Sequence, residues 1–189
     1  MGIDGKIFDP QLGIEDLKNK NIKFIGDPQK RIEEDYLRIL RFLRFSMQYR
    51  DFDKDDQTFK IIQKNLSGIA KLSKERIFDE LNKIIRLDNF VDIFLNKEIL
   101  EVFKIIFPEF RYLDRIKGMN HEIYKKFVKS ESNLLLALLL VDNTDNHIYF
   151  AHKYKISNFI KDNLIFFNTY FSEIKKNKNY FEKDLKKNI

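Results

Sequence analysis

A chain of 189 residues at 43% hydrophobic and 14% aromatic is far from the composition of disordered proteins, and its 35 Lys and Arg against 29 Asp and Glu leave a net charge of +6. Zero cysteines exclude a disulfide framework, a thiolate zinc site and a cysteine nucleophile, and three scattered histidines argue against a histidine-based metal centre. The longest apolar run, residues 134–141, is far short of the ~20 residues that span a bilayer, and the start Met1-Gly2-Ile3-Asp4 has no secretory pattern, so the expectation is a cytoplasmic chain with no membrane partner.

Residues 1–28 hold Gly2, Gly5, Gly13 and Gly26 together with Pro10 and Pro28, and two short apolar pieces, 6–8 and 21–25, read as edge strands whose sheet lies elsewhere. From Pro28 the pattern turns helical, with Asp27 as the expected N-cap. A first helix carries Ile32, Tyr36, Ile39, Leu40, Leu43 and Met47 on one stripe, a second carries Phe59, Ile62, Leu66 and Ile69, and a third follows the cap-like Ser73 through Ile77, Leu81, Ile84 and Ile85. Helical stretches continue past residue 88, with breaks near Pro108, Gly118 and Asn143. A long amphipathic helix then runs from Ser157 through Ile160, Leu164, Phe167 and Phe171. The aromatic residues Phe159, Phe166, Phe167 and Phe171 read as core, with base stacking as the alternative, and the Lys-rich stretch 172–189 reads as a solvated helix end.

The charged residues of the first helix are not scattered. Arg31, Glu34, Arg38 and Arg41 recur at spacings of three and four, with Asp35 three residues before Arg38. A surface salt-bridge ladder would give this pattern. So would a nucleobase reader: a carboxylate accepts from an exocyclic amine while a guanidinium donates to the adjacent ring nitrogen, which fits cytosine and adenine and rejects uracil and guanine. The positive surplus suits a polyanionic partner such as RNA. His121, Glu122 and His147 lack acid–base partners at useful spacing, and Asp51-Phe52-Asp53 lacks the surroundings expected of a metal site.

The segment Glu34-Asp35-Tyr36-Leu37-Arg38 resembles the Glu-Asp-x-x-Arg motif in the neck of the class II tRNA nucleotidyltransferases (CCA-adding enzymes) and bacterial poly(A) polymerases. Asp9-Pro10 with Gly13-Ile14-Glu15-Asp16-Leu17 is similar to the connector that follows the family's catalytic head, Ile25-Gly26-Asp27-Pro28 follows in order, and Ser73-Lys74-Glu75-Arg76-Ile77 with Glu80-Leu81 looks like the next family element. One departure is Leu12, which stands where a second glycine is common and implies a stiffer hinge.

The resemblance implies an all-α chain: a short extended remnant of the head connector over 1–28, a neck over 29–87 and a helical body and tail over 88–189. It implies base selection by Asp35 and Arg38 with Glu34 orienting Arg38, phosphate or RNA contacts from Arg31, Arg41 and Arg44, and support from Glu75 and Arg76. The structural alternative for the arginines is pairing with nearby carboxylates. The family's metal-binding Asp-x-Asp lies before the connector, so this chain is expected to hold no catalytic residues and no metal. Mg2+ with ATP or CTP belongs to the complete enzyme, RNA is the expected partner, and a separate head polypeptide would complete the reaction. Alternatives of other classes are a non-catalytic RNA-binding module, a gene remnant and a helical protein-interaction domain.

Overall fold

The computed structural model describes residues 8–49, 56–130 and 132–176. The start of the first expected strand, Asp51-Phe52-Asp53 and the basic stretch after residue 176 lie outside them, as does the side chain of Phe171. The described residues form helices and contain no β-strand. By compactness the chain divides into two units, Met1–Ile106 and Phe107–Ile189.

The first unit opens with α1 (Gly13–Lys18), so the connector is not extended throughout. Asp9 makes this helix: its two carboxylate oxygens accept from the Gly13 N–H at 2.8 Å and the Ile14 N–H at 2.7 Å, filling donors that a helix start leaves open. Leu12 takes the left-handed backbone at φ 57°, a conformation that costs a branched residue about 1–2 kcal/mol and costs glycine nothing. The geometry expected of a glycine is therefore kept without one. Residues 21–25 pair with no strand; Phe24 instead stacks on Phe42, with centroids 5.2 Å apart and planes 9° from parallel.

α2 (Pro28–Glu34) starts as Asp27 and Pro28 dictate, the Asp27 carboxylate accepting from the Gln29 N–H at 2.8 Å. The expected single helix then breaks. Asp35 is extended at φ −154° and ψ 104°, and α3 (Leu37–Tyr49) begins two residues later. The apolar spacing survives because the break preserves which side faces inward: Ile32, Ile39, Leu40, Leu43 and Met47 are all buried. α4 (Asp56–Asn65) packs on α2, a 3-10 turn follows over Leu66–Lys71, and α5 (Lys74–Ile85) packs on α3. A second 3-10 segment, Phe90–Leu95, and α6 (Lys97–Ile106) complete the unit; the Asn89 side-chain amide ties this end to α3 by donating to the Met47 carbonyl at 2.6 Å.

The second unit contains a 3-10 turn at Leu113–Ile116, then α7 (His121–Ser130), α8 (Ser132–Leu140), α9 (Asn146–Tyr154) and α10 (Asn158–Lys176). The apolar helix α8 touches α7, α9 and α10, as its nearly continuous leucines require. Half-buried Arg115 and buried Asn146 pin the surrounding segments. Arg115 donates to the Leu138 and Val141 carbonyls at 2.9 and 2.6 Å, and the Asn146 amide donates to the Glu109 and Leu140 carbonyls at 2.9 Å each. The reading of Phe159 and Phe166 as core is corrected: they are 71% and 45% exposed. Leu164 on α10 is fully buried, and at 100° per residue Phe166 lies about 200° round the helix from it.

His147 is buried at the start of α9 with Nδ1 3.0 Å from the Thr144 carbonyl. Burial holds its pKa below the ordinary 6.5, while the carbonyl and the charges of Asp145 and Asp142 oppose the shift. A depressed folded-state value means that the folded unit resists protonation more than the unfolded chain does, so its stability is intact above pH 6.5 and declines as pH falls below it. Thermal melts between pH 7.5 and 5 should show this decline, and His147→Asn should weaken the pH dependence.

Candidate nucleotide-recognition site

The break between α2 and α3 sets the candidate residues on a corner rather than along one helix. Asp35 caps α3: its Oδ1 accepts from the Leu37 N–H at 3.1 Å, and its backbone carbonyl accepts from the Arg38 N–H at 3.0 Å. Its other oxygen accepts from Nη2 of Arg76 at 3.0 Å, so the first turn of α5 reaches the corner across 41 positions of sequence. Ser73 caps that turn by accepting from the Arg76 N–H at 3.4 Å, and Glu75 lies exposed beside it, where a negative charge favours a helix start.

Arg38 is held from the other side of the break. One nitrogen, Nη1, donates to the Arg31 carbonyl and to Oε2 of Glu34, both at 2.6 Å. Arg31 Nη1 donates to the same Glu34 oxygen at 2.5 Å. The Arg38 hydrogen bond, reinforced by the charges of Arg31 and Arg38, holds the Glu34 carboxyl below the usual glutamate range. Glu34 is exposed and stays ionised well into mild acid, keeping Arg38 in place.

A count of donors and acceptors shows what the corner has left. A guanidinium carries five N–H groups, and only the two on Arg38 Nη1 are used among the described residues, leaving Nε and Nη2. A carboxylate accepts about four hydrogen bonds, and Asp35 takes two. Asp35 and Arg38 form no ion pair with each other; each has its own partner, Arg76 and Glu34 respectively. Two half-buried groups of opposite hydrogen-bonding character are thus fixed separately, with donors and acceptors to spare.

The remaining arginines divide. Arg31 is partly open beside Glu34, and Arg41 is exposed on α3. Arg44 turns inward: its Nε donates to Oε1 of Glu80 at 2.5 Å, its guanidinium lies 4.2 Å from the centroid of Phe45, and Lys83 takes the second Glu80 oxygen at 3.2 Å. Glu80 is 1% exposed. Sequence reasoning included Glu80 in the family element that follows Ser73 but gave it no partner, although its position three residues after Ile77 and four before Ile84 sets a carboxylate on the apolar stripe of α5. A charge on a buried stripe signals a buried partner. Tyr36 was placed on the apolar stripe and in the Glu34–Arg38 segment, but its close approach to Gly68 was missed, and an isolated glycine within a helical pattern was the available sign.

Residues 51–113 match the family model described as "Probable RNA and SrmB- binding site of polymerase A". The chain is 48% identical over 87 residues to the human mitochondrial CCA tRNA nucleotidyltransferase 1, a match covering 45% of this chain and 20% of that protein. It is 42% identical over 84 residues to the CCA-adding enzyme of Lactobacillus helveticus, covering 44% and 21%, and 37% identical over 117 residues to that of Staphylococcus saprophyticus, covering 62% and 29%. The matched part thus spans between 20% and 29% of these relatives' length. With the ordered motifs and an all-helical fold, these matches establish that the chain belongs to the class II CCA-adding enzyme and poly(A) polymerase family.

Proposed function

We propose that this chain supplies the base-selecting neck of an RNA 3′-end nucleotidyltransferase, of the CCA-adding or poly(A)-adding type. The observation that carries the reading is the double fixation of the corner: Glu34 and the Arg31 carbonyl hold Arg38, while Arg76 and the α3 N-terminus hold Asp35. Asp35 accepts from the exocyclic amine of cytosine or adenine, and Arg38 donates to the neighbouring ring nitrogen. Uracil offers a carbonyl to a carboxylate and an N–H to a guanidinium, as guanine does, so both meet unpaired groups.

Arg31 and Arg41 offset triphosphate or RNA charge, Arg44 being committed to Glu80. RNA is the partner, bound through the region that the family model describes. In the complete enzyme an RNA 3′ hydroxyl attacks the α-phosphate of CTP or ATP and pyrophosphate leaves. Mg2+, as the family's metal, would stabilise that charge. By the family resemblance, the residues that would hold it are the Asp-x-Asp carboxylates of the head, which precede the connector.

Titration of the full chain with ATP, CTP, UTP and GTP, followed by NMR shifts of the α2–α3 amides, tests the reading. ATP and CTP should bind more tightly than UTP and GTP, by the ~1–3 kcal/mol of a bidentate base contact. Equal binding of all four would leave the charged face as a salt-bridge ladder, and RNA binding alone would then favour a non-catalytic RNA-binding module.

A further inference from the structure

We propose that Gly68 and Tyr36 form a positioning pair that sets base selectivity by fixing the α2–α3 corner; this rests on the nucleotide-recognition reading of that corner. Tyr36 is the residue between the extended Asp35 and the first residue of α3, so a shift of its ring moves Asp35 and Arg38 together. Its ring lies directly on Gly68: a Cβ added there would fall 1.9, 2.1 and 2.3 Å from Cε1, Cδ1 and Cζ of Tyr36. No side chain fits at those distances.

Gly68 is not there for backbone freedom, since the glycines with left-handed backbone among the described residues are Gly26 and Gly118. What position 68 requires is the missing side chain. The glycine is buried in the 3-10 turn Leu66–Lys71, and Lys71 from the same turn sets its ammonium 5.3 Å from the Tyr36 ring centroid. The turn is itself anchored to α2, because the side-chain amides of Asn65 and Gln29 hydrogen-bond in both directions at 2.8 and 3.3 Å. Asn65 is fixed in turn by donating to the Ile61 carbonyl at 2.8 Å. One short segment therefore grips α2 through an amide pair and the start of α3 through a ring on a glycine, spanning the break at which Asp35 and Arg38 are set.

The pair is tested in the full chain by titrating ATP, CTP, UTP and GTP into Gly68→Ala, Tyr36→Ala and Tyr36→Phe, with circular dichroism to verify folding. Folded Gly68→Ala should lose roughly fivefold or more of the ATP and CTP preference over GTP and UTP, the smaller end of a lost base-edge contact. Tyr36→Ala, which removes the ring without crowding, should lose a similar share, while Tyr36→Phe keeps the ring and should keep the preference. If Gly68→Ala unfolds the chain, Tyr36→Ala decides alone. Retention of the wild-type preference in folded Gly68→Ala or in Tyr36→Ala overturns the proposal, as does an equal loss for all four nucleotides, which marks a merely structural contact. A wild-type chain with no preference removes the recognition reading itself, and the positioning role with it.

Discussion

Glu80→Ala should destabilise the first unit by about 3–5 kcal/mol, the cost of leaving a buried charge without its partner. The loss would arise at Arg44, whose guanidinium is largely withdrawn from water and has Glu80 as its ion-pair partner, with Lys83 losing a lesser, solvent-exposed contact. At about 2–4 °C per kcal/mol for a chain of this size, the melting temperature should drop far enough to separate the variant from surface substitutions. Glu80→Gln keeps the volume and an acceptor for the Arg44 N–H, and should lose less. Replacing both partners by apolar residues of similar volume, Glu80→Leu with Arg44→Met, should recover much of the loss, because a buried pair offsets its own desolvation only in part. Melts of the three variants check this, and a Glu80→Ala protein as stable as wild type would show that Arg44 finds another partner or water.

Asp35→Ala removes three things at one residue. The cap on α3 is lost, at about 0.5–2 kcal/mol of stability, Arg76 loses its carboxylate, and the proposed acceptor for the base amine disappears, at about 1–3 kcal/mol of discrimination. Arg76→Ala separates these effects. It leaves the cap and the acceptor in place and removes a half-exposed ion pair worth at most about 1 kcal/mol. Asp35→Ala should therefore lower both the melting temperature and the preference for ATP and CTP, whereas Arg76→Ala should change the preference less. Equal preference ratios in Asp35→Ala and wild type would show that Asp35 serves only as a helix cap.

Much of the first unit was legible in the sequence because its determinants are local. Asp27 before Pro28 and Ser73 before Lys74 mark helix starts by side-chain chemistry, and the apolar stripes from Ile32 to Met47 and from Ile77 to Ile85 follow from a period of 3.6 residues. The spacing also paired Glu34 with Arg31 and Arg38. The break at Asp35 was not legible, since a helix can stop for two residues and resume with its apolar side still inward, leaving the periodicity unchanged. The partners that fix the corner were hidden for another reason: Arg76 meets Asp35, and Glu80 meets Arg44, only through the packing of α5 on α3. On α10, the spacing found Leu164, while the hydrophobicity of Phe159 and Phe166 suggested burial that the helix rotation denies them.

These partners change how the corner can be engineered. Exchanging the charges, Asp35→Arg with Arg38→Asp, reverses donor and acceptor toward the edges of uracil and guanine, but it also sets a guanidinium against Arg76 and a carboxylate against Glu34. Like charges there would displace both groups.

Single-atom changes in the nucleotide avoid that difficulty and test the central claim directly. ATP, purine riboside triphosphate, which lacks the exocyclic amine, and 1-deaza-ATP, which lacks the neighbouring ring nitrogen, should be titrated into wild type and Asp35→Ala. Wild type should bind each analogue more weakly than ATP by about 1 kcal/mol or more, and the penalty for the missing amine should vanish in Asp35→Ala while the penalty for the missing ring nitrogen remains. If wild type binds ATP and purine riboside triphosphate equally, Asp35 does not read the base edge and the recognition account is wrong.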